Sequence, residues 1–153
     1  MKQESGRSMI EMIGVLAIMG IITAGAFVLI STALNTQKRS RVTDDVTAIV
    51  SGVRNLLGEY DDFSNIDNST IFGAISMSNK NPYGGTYELA VNTNNTRQFI
   101  VRINGLSKTD CEGLVTKAWV DSVGYNSSDH KESGATGNCK DGNANVVSIT
   151  YGE

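Results

Sequence analysis

The first half of the chain carries two successive hydrophobic patterns, and together they predict one long helix. Residues 12–30 are nineteen uncharged, mostly apolar residues. In residues 42–60 the apolar side chains recur at spacings of three, four and one, as on a helix with one apolar face. These positions are Val42, Val46, Ile49, Val50, Val53, Leu56, Leu57 and Tyr60. Because no proline interrupts residues 8–60, the pattern predicts a continuous helix of about 50 residues.

Later in the chain the period changes to the two-residue alternation of β-strands. Large apolar residues occupy every second position at 87, 89 and 91 and again at 99, 101 and 103, and the Asn- and Thr-rich segment 92–96 lies between the two runs. This arrangement predicts an antiparallel hairpin. Residues 147–151 alternate in the same way and predict a closing strand.

The remaining segments predict one short helix and two loops. Thr109 and Glu112 have the spacing of a capping box, which predicts that a helix begins there. Its predicted inner face consists of Cys111, Leu114, Val115, Ala118 and Trp119. Residues 61–82 are polar and turn-rich and predict a connecting loop, with a helical turn at the apolar residues 71–75. Residues 126–138 lack periodicity and predict a surface loop.

These elements predict an α+β fold. The long N-terminal helix, apolar in its first half and amphipathic in its second, packs on a small antiparallel β-sheet head. The chain has 153 residues, so the part beyond the apolar segment suffices for one modest domain. Sixteen glycines and a single proline predict a loop-rich domain that needs an additional constraint.

The apolar segment is long enough to cross a membrane, since about 20 residues of helix span the hydrocarbon core. It is longer than the apolar core of a secretory signal peptide, and residues 29–34 offer only a weak cleavage site. A plain anchor and a helix that packs against other copies both fit this length. Glu11 lies at the edge of the segment, where an unpaired carboxylate costs several kcal/mol, so we expect it to have a partner.

Composition excludes several classes of function. The net charge is −3 and the thirteen Lys and Arg residues are scattered, which makes nucleic acid an unlikely partner. The sequence presents no nucleophile–base pair, phosphate loop or metal cluster, so we predict no enzyme, no cofactor and no metal site. The single histidine, His130, is expected to be a solvated loop residue. Residues 141–145 resemble a calcium loop only loosely, and a turn fits them better.

Two cysteines, Cys111 and Cys139, are the candidate constraint. One pair in an exported domain usually forms a disulfide, whereas two distant cysteines in a cytosolic domain are usually unrelated thiols. The membrane segment favours the disulfide, which would tie the capped helix to the final strand and close the C-terminal region.

The chain begins with a short polar stretch that ends in Gly6, Arg7, Ser8, Met9, Ile10 and Glu11, and the long apolar helix follows. This arrangement resembles the signal of the type IV pilin family. The resemblance implies that prepilin peptidase cuts between Gly6 and Arg7 and that the new amine of Arg7 is methylated. It also implies that Glu11 pairs with the N-terminal amine of a neighbouring subunit during assembly.

The rest of the chain resembles the heads of type IVb pilins. Residues 81–85, with the sequence Asn-Pro-Tyr-Gly-Gly, are followed by strands, by Cys111 on a helix and by Cys139 before the last strand. Two features depart from the family pattern: Arg7 is charged where an apolar residue is usual, and Val28 stands where type IVa pilins commonly have proline. The implied domains are a leader over residues 1–6, a transmembrane and assembly helix over 7–34, its amphipathic continuation over 35–60, and a globular head over 61–153.

The resemblance implies a structural subunit of a helical filament made of copies of this chain, serving adhesion, aggregation or motility. Its other partners would be the peptidase and an inner-membrane assembly machinery. Before assembly the chain would span the bacterial inner membrane once with its head outside, and afterwards it would be extracellular. The positive-inside rule alone favours the opposite orientation, because Lys38, Arg39 and Arg41 follow the apolar segment and only Lys2 and Arg7 precede it. A type II secretion pseudopilin and a monomeric membrane-anchored extracytoplasmic binding module are the alternatives.

Overall fold

The computed structural model describes residues 4–58, 62–127 and 139–153, without the side chains of residues 4–7 and 127. The chain divides into two compact units, Met1–Lys38 and Arg39–Glu153. The predicted α+β fold is confirmed: a long N-terminal helix, a small antiparallel sheet and a disulfide in the C-terminal region are all present.

Helix α1 comprises Glu4–Leu57, which is 54 residues. In the second unit its apolar stripe is buried as predicted, at Val42, Val46, Ile49, Val50 and Val53. The stripe ends at the last turn, because Leu57 is only partly buried and Leu56 is 44% exposed. Tyr60, the last predicted position of the stripe, lies outside the described residues.

Four antiparallel strands form one sheet in the order β1-β2-β4-β3. They are β1 (Tyr87–Val91), β2 (Gln98–Leu106), β3 (Ser122–Ser127) and β4 (Asn145–Gly152). The hairpin and the closing strand predicted from alternation are confirmed as β1, β2 and β4. Every second residue of these strands enters the core, because successive side chains point to opposite faces of a sheet. The buried set is Tyr87, Leu89, Phe99, Val101, Ile103, Val147, Ile149 and Tyr151.

One hydrophobic core joins the sheet to the amphipathic part of α1. Phe99 lies at its centre, with its ring centroid 4.8 Å from that of Phe63 and 5.7 Å from that of Tyr151. Gly52 on α1 makes room for the side chain of Ile75, since a Cβ at this position would overlap it. The core therefore also fixes the connection between α1 and the sheet.

That connection contains a short helix, α2 (Asn68–Ala74), at the apolar patch where a helical turn was predicted. Asp67 caps it, and its carboxylate accepts hydrogen bonds from the backbone N–H of Thr70 at 2.9 Å and the Thr70 hydroxyl at 2.8 Å. Ile71 and Phe72 provide its buried face. The following turn is organised by Asn81, a buried residue whose Oδ1 accepts the N–H groups of Tyr83 and Gly85, each at 3.0 Å.

The predicted start of the next helix was wrong by two residues. Helix α3 comprises Lys108–Val115, and its N-cap is Ser107, whose hydroxyl oxygen accepts the N–H of Asp110 at 3.2 Å. Ser107 and Asp110 have the same capping spacing as Thr109 and Glu112, so both pairs were available to the sequence pattern. Cys111, Leu114 and Val115 are buried as predicted.

The two other predicted members of that face lie beyond the helix. Ala118 lies after the end of α3 and is exposed, so its predicted place on the inner face was wrong. Trp119 is buried, but its position is fixed by the indole N–H, which donates to the carbonyl oxygen of Leu114 at 3.0 Å.

Strand β3 was not predicted, and the predicted loop 126–138 is wrong at its start. Asn126 and Ser127 belong to β3, while residues 128–138, including His130, lie outside the described residues. None of its described side chains, residues 122–126, is buried, and Val123 is 56% exposed. A strand without alternating buried residues has no periodic hydrophobic pattern in its sequence.

The segment that loosely resembled a calcium loop forms the approach to β4. Buried Asn145 organises it: its Oδ1 accepts the N–H of Lys140 at 2.7 Å, and its Nδ2 donates to the carbonyl of Leu106 at 3.0 Å. Asp141 forms an exposed ion pair with Lys108 at 3.3 Å. Asn145 thus acts as a structural amide that joins the end of β2 to the start of β4.

Candidate assembly surface

The first unit presents a helix whose apolar side chains are open on every side. Each of its large apolar residues is more than half exposed, from 52% at Leu34 to 75% at Ile21. The set comprises Met9, Ile10, Met12, Ile13, Val15, Leu16, Ile18, Met19, Ile21, Ile22, Phe27, Val28, Leu29, Ile30 and Leu34. By length and composition, α1 is the one helix of the described residues that could cross a membrane. So much apolar surface requires lipid or another protein surface to cover it.

The hydroxyl groups of this segment are satisfied within the helix itself. Thr23 donates to the carbonyl of Met19 at 2.7 Å, and Ser31 donates to that of Phe27 at 2.9 Å. Thr32 and Thr36 make the same four-residue bond to the carbonyls of Val28 and Thr32, each at 3.0 Å. Since water cannot satisfy polar groups inside lipid or a packed helical core, these bonds suit the segment to both environments.

Glu11 differs from these hydroxyl residues. Its neighbours Ile10 and Met12 are exposed apolar side chains, and Glu11 forms no ion pair or hydrogen bond within the part of the chain that the structure describes. A carboxylate in this setting accepts hydrogen bonds and attracts a cation, and an ammonium group satisfies both requirements. Gly6 and Arg7, the predicted processing residues, lie in the first turns of α1 close to Glu11 in sequence.

Three glycines indent the apolar surface. At Gly14, Gly20 and Gly25 no atom beyond the adjacent residues and the surrounding helix backbone lies within 4 Å of the position that a Cβ would occupy. The helix backbone is therefore accessible at these points, and another helix can approach it closely. The three glycines lie among the exposed apolar residues of α1, so a second helix that packs on these residues can also approach the backbone.

The predicted cysteine pair forms a disulfide, Cys111–Cys139, with its Cα atoms 5.8 Å apart. Cys111 is fully buried on α3, and Cys139 is 6% exposed ahead of β4. The bond spans 28 residues of sequence and closes the C-terminal region of the head. It constrains the segment between α3 and β4 at both ends.

The polar side of α1 makes contacts with the head that the sequence did not predict. The hydroxyl of buried Tyr87 donates to the carboxylate of Asp45 at 2.8 Å. Burial raises the pKa of Tyr87, and the hydrogen bond to Asp45 raises it further. The Lys117 ammonium contacts the Thr43 hydroxyl and lies 4.7 Å from the centre of the Trp119 ring.

Arg39, one of the basic residues that follow the apolar segment, also faces the head. Its guanidinium occupies the space where a Cβ on Gly113 would lie, so the glycine in α3 makes room for it. Burial raises the pKa of the neighbouring Tyr83 hydroxyl; the carboxylate of Asp110 adds to the rise and Arg39 opposes it. No local sequence pattern could reveal these pairs, because their members are distant in sequence.

Comparison with known proteins identifies pilus subunits as relatives. The chain is 26% identical over 128 residues to the toxin coregulated pilin of Vibrio cholerae serotype O1, which covers 74% of this chain and 57% of that protein. It is 26% identical over 166 aligned positions to the major structural subunit of the bundle-forming pilus of Escherichia coli O111:H-, covering 99% of this chain and 86% of the relative. The subunit from Escherichia coli O127:H6 gives the same identity and coverage. No family model matches the chain.

Proposed function

Because this chain is a homologue of the type IV pilins, we propose that it is a filament subunit that polymerises through its N-terminal helix. The observation that carries the proposal is the exposed apolar surface of α1 with Glu11 at its edge. Burying a large apolar side chain contributes about 1.5–3 kcal/mol, so helices that bundle in a filament core are strongly stabilised. The head stays outside this core and supplies the surface for adhesion, aggregation or motility.

Assembly needs a partner for Glu11. In the proposed filament this partner is the N-terminal amine of a neighbouring copy, freed by cleavage between Gly6 and Arg7 and then methylated. An amine and a carboxylate are each costly in an apolar environment, and they become tolerable there as a pair. The pairing therefore sets the axial position of one subunit against the next, while the apolar contacts supply most of the free energy of association.

Before assembly the same helix is the membrane anchor of the subunit. We place the chain in the bacterial inner membrane as a single-pass protein with its head outside, in contact with prepilin peptidase and the assembly machinery. The Cys111–Cys139 disulfide supports this orientation, because disulfides persist in oxidising compartments. After assembly the subunit is extracellular.

Electron microscopy of material sheared from cells, combined with N-terminal sequencing of its subunits, tests this function. We expect long filaments rich in this chain, with Arg7 as their first residue and a methyl group on its amine. Cells that express the chain and yield no such fibres would contradict the filament. Fibres whose subunits retain residues 1–6 would contradict the proposed processing.

A further inference from the structure

The second unit has two ends along α1. At one end the Arg39 guanidinium lies against Gly113 of α3, and at the other end Arg54 lies 3.8 Å from Asp121. The two arginines are separated along the helix by about 22 Å, at 1.5 Å per residue. Because the second unit begins at Arg39, we call the Arg39 end the base of the head.

Two arginines of α1, Arg39 and Arg41, lie at the base. Both are exposed, and neither forms an ion pair with a carboxylate within residues 4–58, 62–127 and 139–153. The two carboxylates that follow on α1 interact with the head instead: Asp45 accepts a hydrogen bond from strand β1, and Asp44 interacts electrostatically with Lys117. The base therefore presents two positive charges that the fold does not neutralise.

The head holds Arg39 in place. The Arg39 guanidinium occupies the space that a side chain at Gly113 would fill, and it faces the hydroxyl of Tyr83. Tyr83 lies in a well-fixed turn, because the Oδ1 of Asn81 accepts the N–H groups of Tyr83 and Gly85. Arg39 is thus an exposed cation whose position depends on the folded head.

Both cations closely follow the segment proposed to span the membrane. Leu34 is the last large apolar residue of the exposed series, and residues 35–41 add about 10 Å of helix. The headgroup layer on each side of the hydrocarbon core is about 5–8 Å thick. Arginine side chains are long enough to direct their charges toward the phosphates of this layer.

The distribution of charge around the apolar segment also favours a lipid contact. With the head outside, Lys38, Arg39 and Arg41 lie on the outer flank and only Lys2 and Arg7 on the inner flank, the reverse of the usual bias. Anionic headgroups attract each cation near the membrane surface. A contact with such headgroups would therefore stabilise the anchored subunit in the orientation that the usual bias disfavours.

We propose that Arg39 and Arg41 bind the phosphate groups of anionic phospholipids while the subunit is anchored in the membrane. This inference rests on the proposed function only for the anchored stage that precedes assembly. A guanidinium group matches phosphate because it donates two parallel N–H bonds. Arg39 and Arg41 are about 200° apart around the helix, so they reach the phosphates of different lipids. A lipid layer surrounds a helix on every side and fits this arrangement, whereas a single bound anion reaches one side.

Native mass spectrometry of the detergent-solubilised full chain, titrated with phosphatidylglycerol or phosphatidylcholine, tests this contact. We expect tighter binding of phosphatidylglycerol. The double variant Arg39→Gln with Arg41→Gln should reduce this preference by at least about fivefold, the effect of one cation near an anionic membrane surface. Lys2 and Arg7 are present in both proteins, so they do not account for a difference between them.

The matched control is the double variant Arg54→Gln with Arg97→Gln. It removes the same charge at the other end of the head, where both arginines line one small cleft, and it should keep the lipid preference. Arg41→Gln alone is a second test variant, because Arg41 is exposed and its replacement should leave the head folded. It should show a loss of preference in the same direction as the double variant.

Equal affinity of the unsubstituted chain for the two lipids would overturn the lipid contact. An unchanged preference in the Arg39 and Arg41 double variant would also overturn it, and a simultaneous fall in filament yield would assign the two arginines to a contact between subunits. The measurement requires no filaments, so its failure leaves the proposed filament standing. Cells that yield no fibres would contradict the filament without changing the lipid preference.

Discussion

The hydroxyl of Tyr87 on strand β1 donates a 2.8 Å hydrogen bond to the carboxylate of Asp45 on helix α1. Tyr87 is 2% exposed and Asp45 is half-buried, so this polar contact lies at the margin of the hydrophobic core. It joins the amphipathic part of α1 to the sheet through two side chains.

Replacing Tyr87 by Phe should lower the free energy of unfolding by about 1–2 kcal/mol, because the Asp45 carboxylate loses a donor that water replaces incompletely. Denaturant unfolding of the detergent-solubilised protein, followed by the fluorescence of Trp119, measures this. Tyr151→Phe is the matched control, since its hydroxyl makes no hydrogen bond within the described residues, and it should change stability by less than about 0.5 kcal/mol. Equal effects of the two substitutions would contradict a stabilising role of the Asp45 contact.

Removing the disulfide should destabilise the head. For a bond that spans 28 residues, the chain-entropy treatment gives about 3–4 kcal/mol. The double variant Cys111→Ser with Cys139→Ser should therefore unfold at a clearly lower denaturant concentration than the oxidised protein. Reduction of the unsubstituted protein should shift its transition in the same direction. Thiol labelling in intact cells adds a check: extensive labelling of both cysteines would contradict the exported orientation.

Acid should loosen α2 within a defined pH range. Hydrogen bonds from Ser69 and Thr70 lower the pKa of Asp67 from 3.8 to about 2. The pKa in the folded state is below that of the unfolded state. The Asp67 carboxylate therefore contributes fully to the stability of the fold above pH 3.8, and this contribution is lost as the pH falls through about 2. NMR titration of the carboxyl group should give a midpoint near 2, and Ser69→Ala should raise it. A midpoint near 3.8 in both proteins would contradict the capping contact.

The sequence predicted the elements whose residues alternate between core and solvent. Val42, Val46 and Val53 marked the inner face of α1, and the alternating strands β1, β2 and β4 were recognised because every second residue is buried. Strand β3 escaped recognition because none of its described side chains, residues 122–126, is buried, and its Val123 faces solvent. The edge strand β1 was recognised because its Tyr87 and Leu89 are buried at alternate positions.

Long-range side-chain contacts were equally inaccessible to the sequence. Asp45 and Tyr87 are 42 residues apart, and Thr43 and Lys117 are 74 apart. No local rule links such positions, since their proximity depends on how α1 is rotated against the folded head. The candidate assembly surface, in contrast, could be predicted from the sequence, because Glu11 directly precedes the apolar residues 12–30.

The central claim, assembly through the N-terminal helix with Glu11 as its pairing group, is tested most directly by the filament yield of Glu11→Ala. Alanine leaves the apolar segment intact, so membrane insertion should be unchanged, while the amine of the neighbouring subunit loses its partner. We predict that filament yield falls by at least about tenfold, because the loss of about 1.4 kcal/mol at one contact already weakens that contact tenfold. Glu4→Ala, in the predicted leader, is the matched control and should assemble normally. Filaments of Glu11→Ala in normal amount and length, from protein inserted normally in the membrane, would contradict the account.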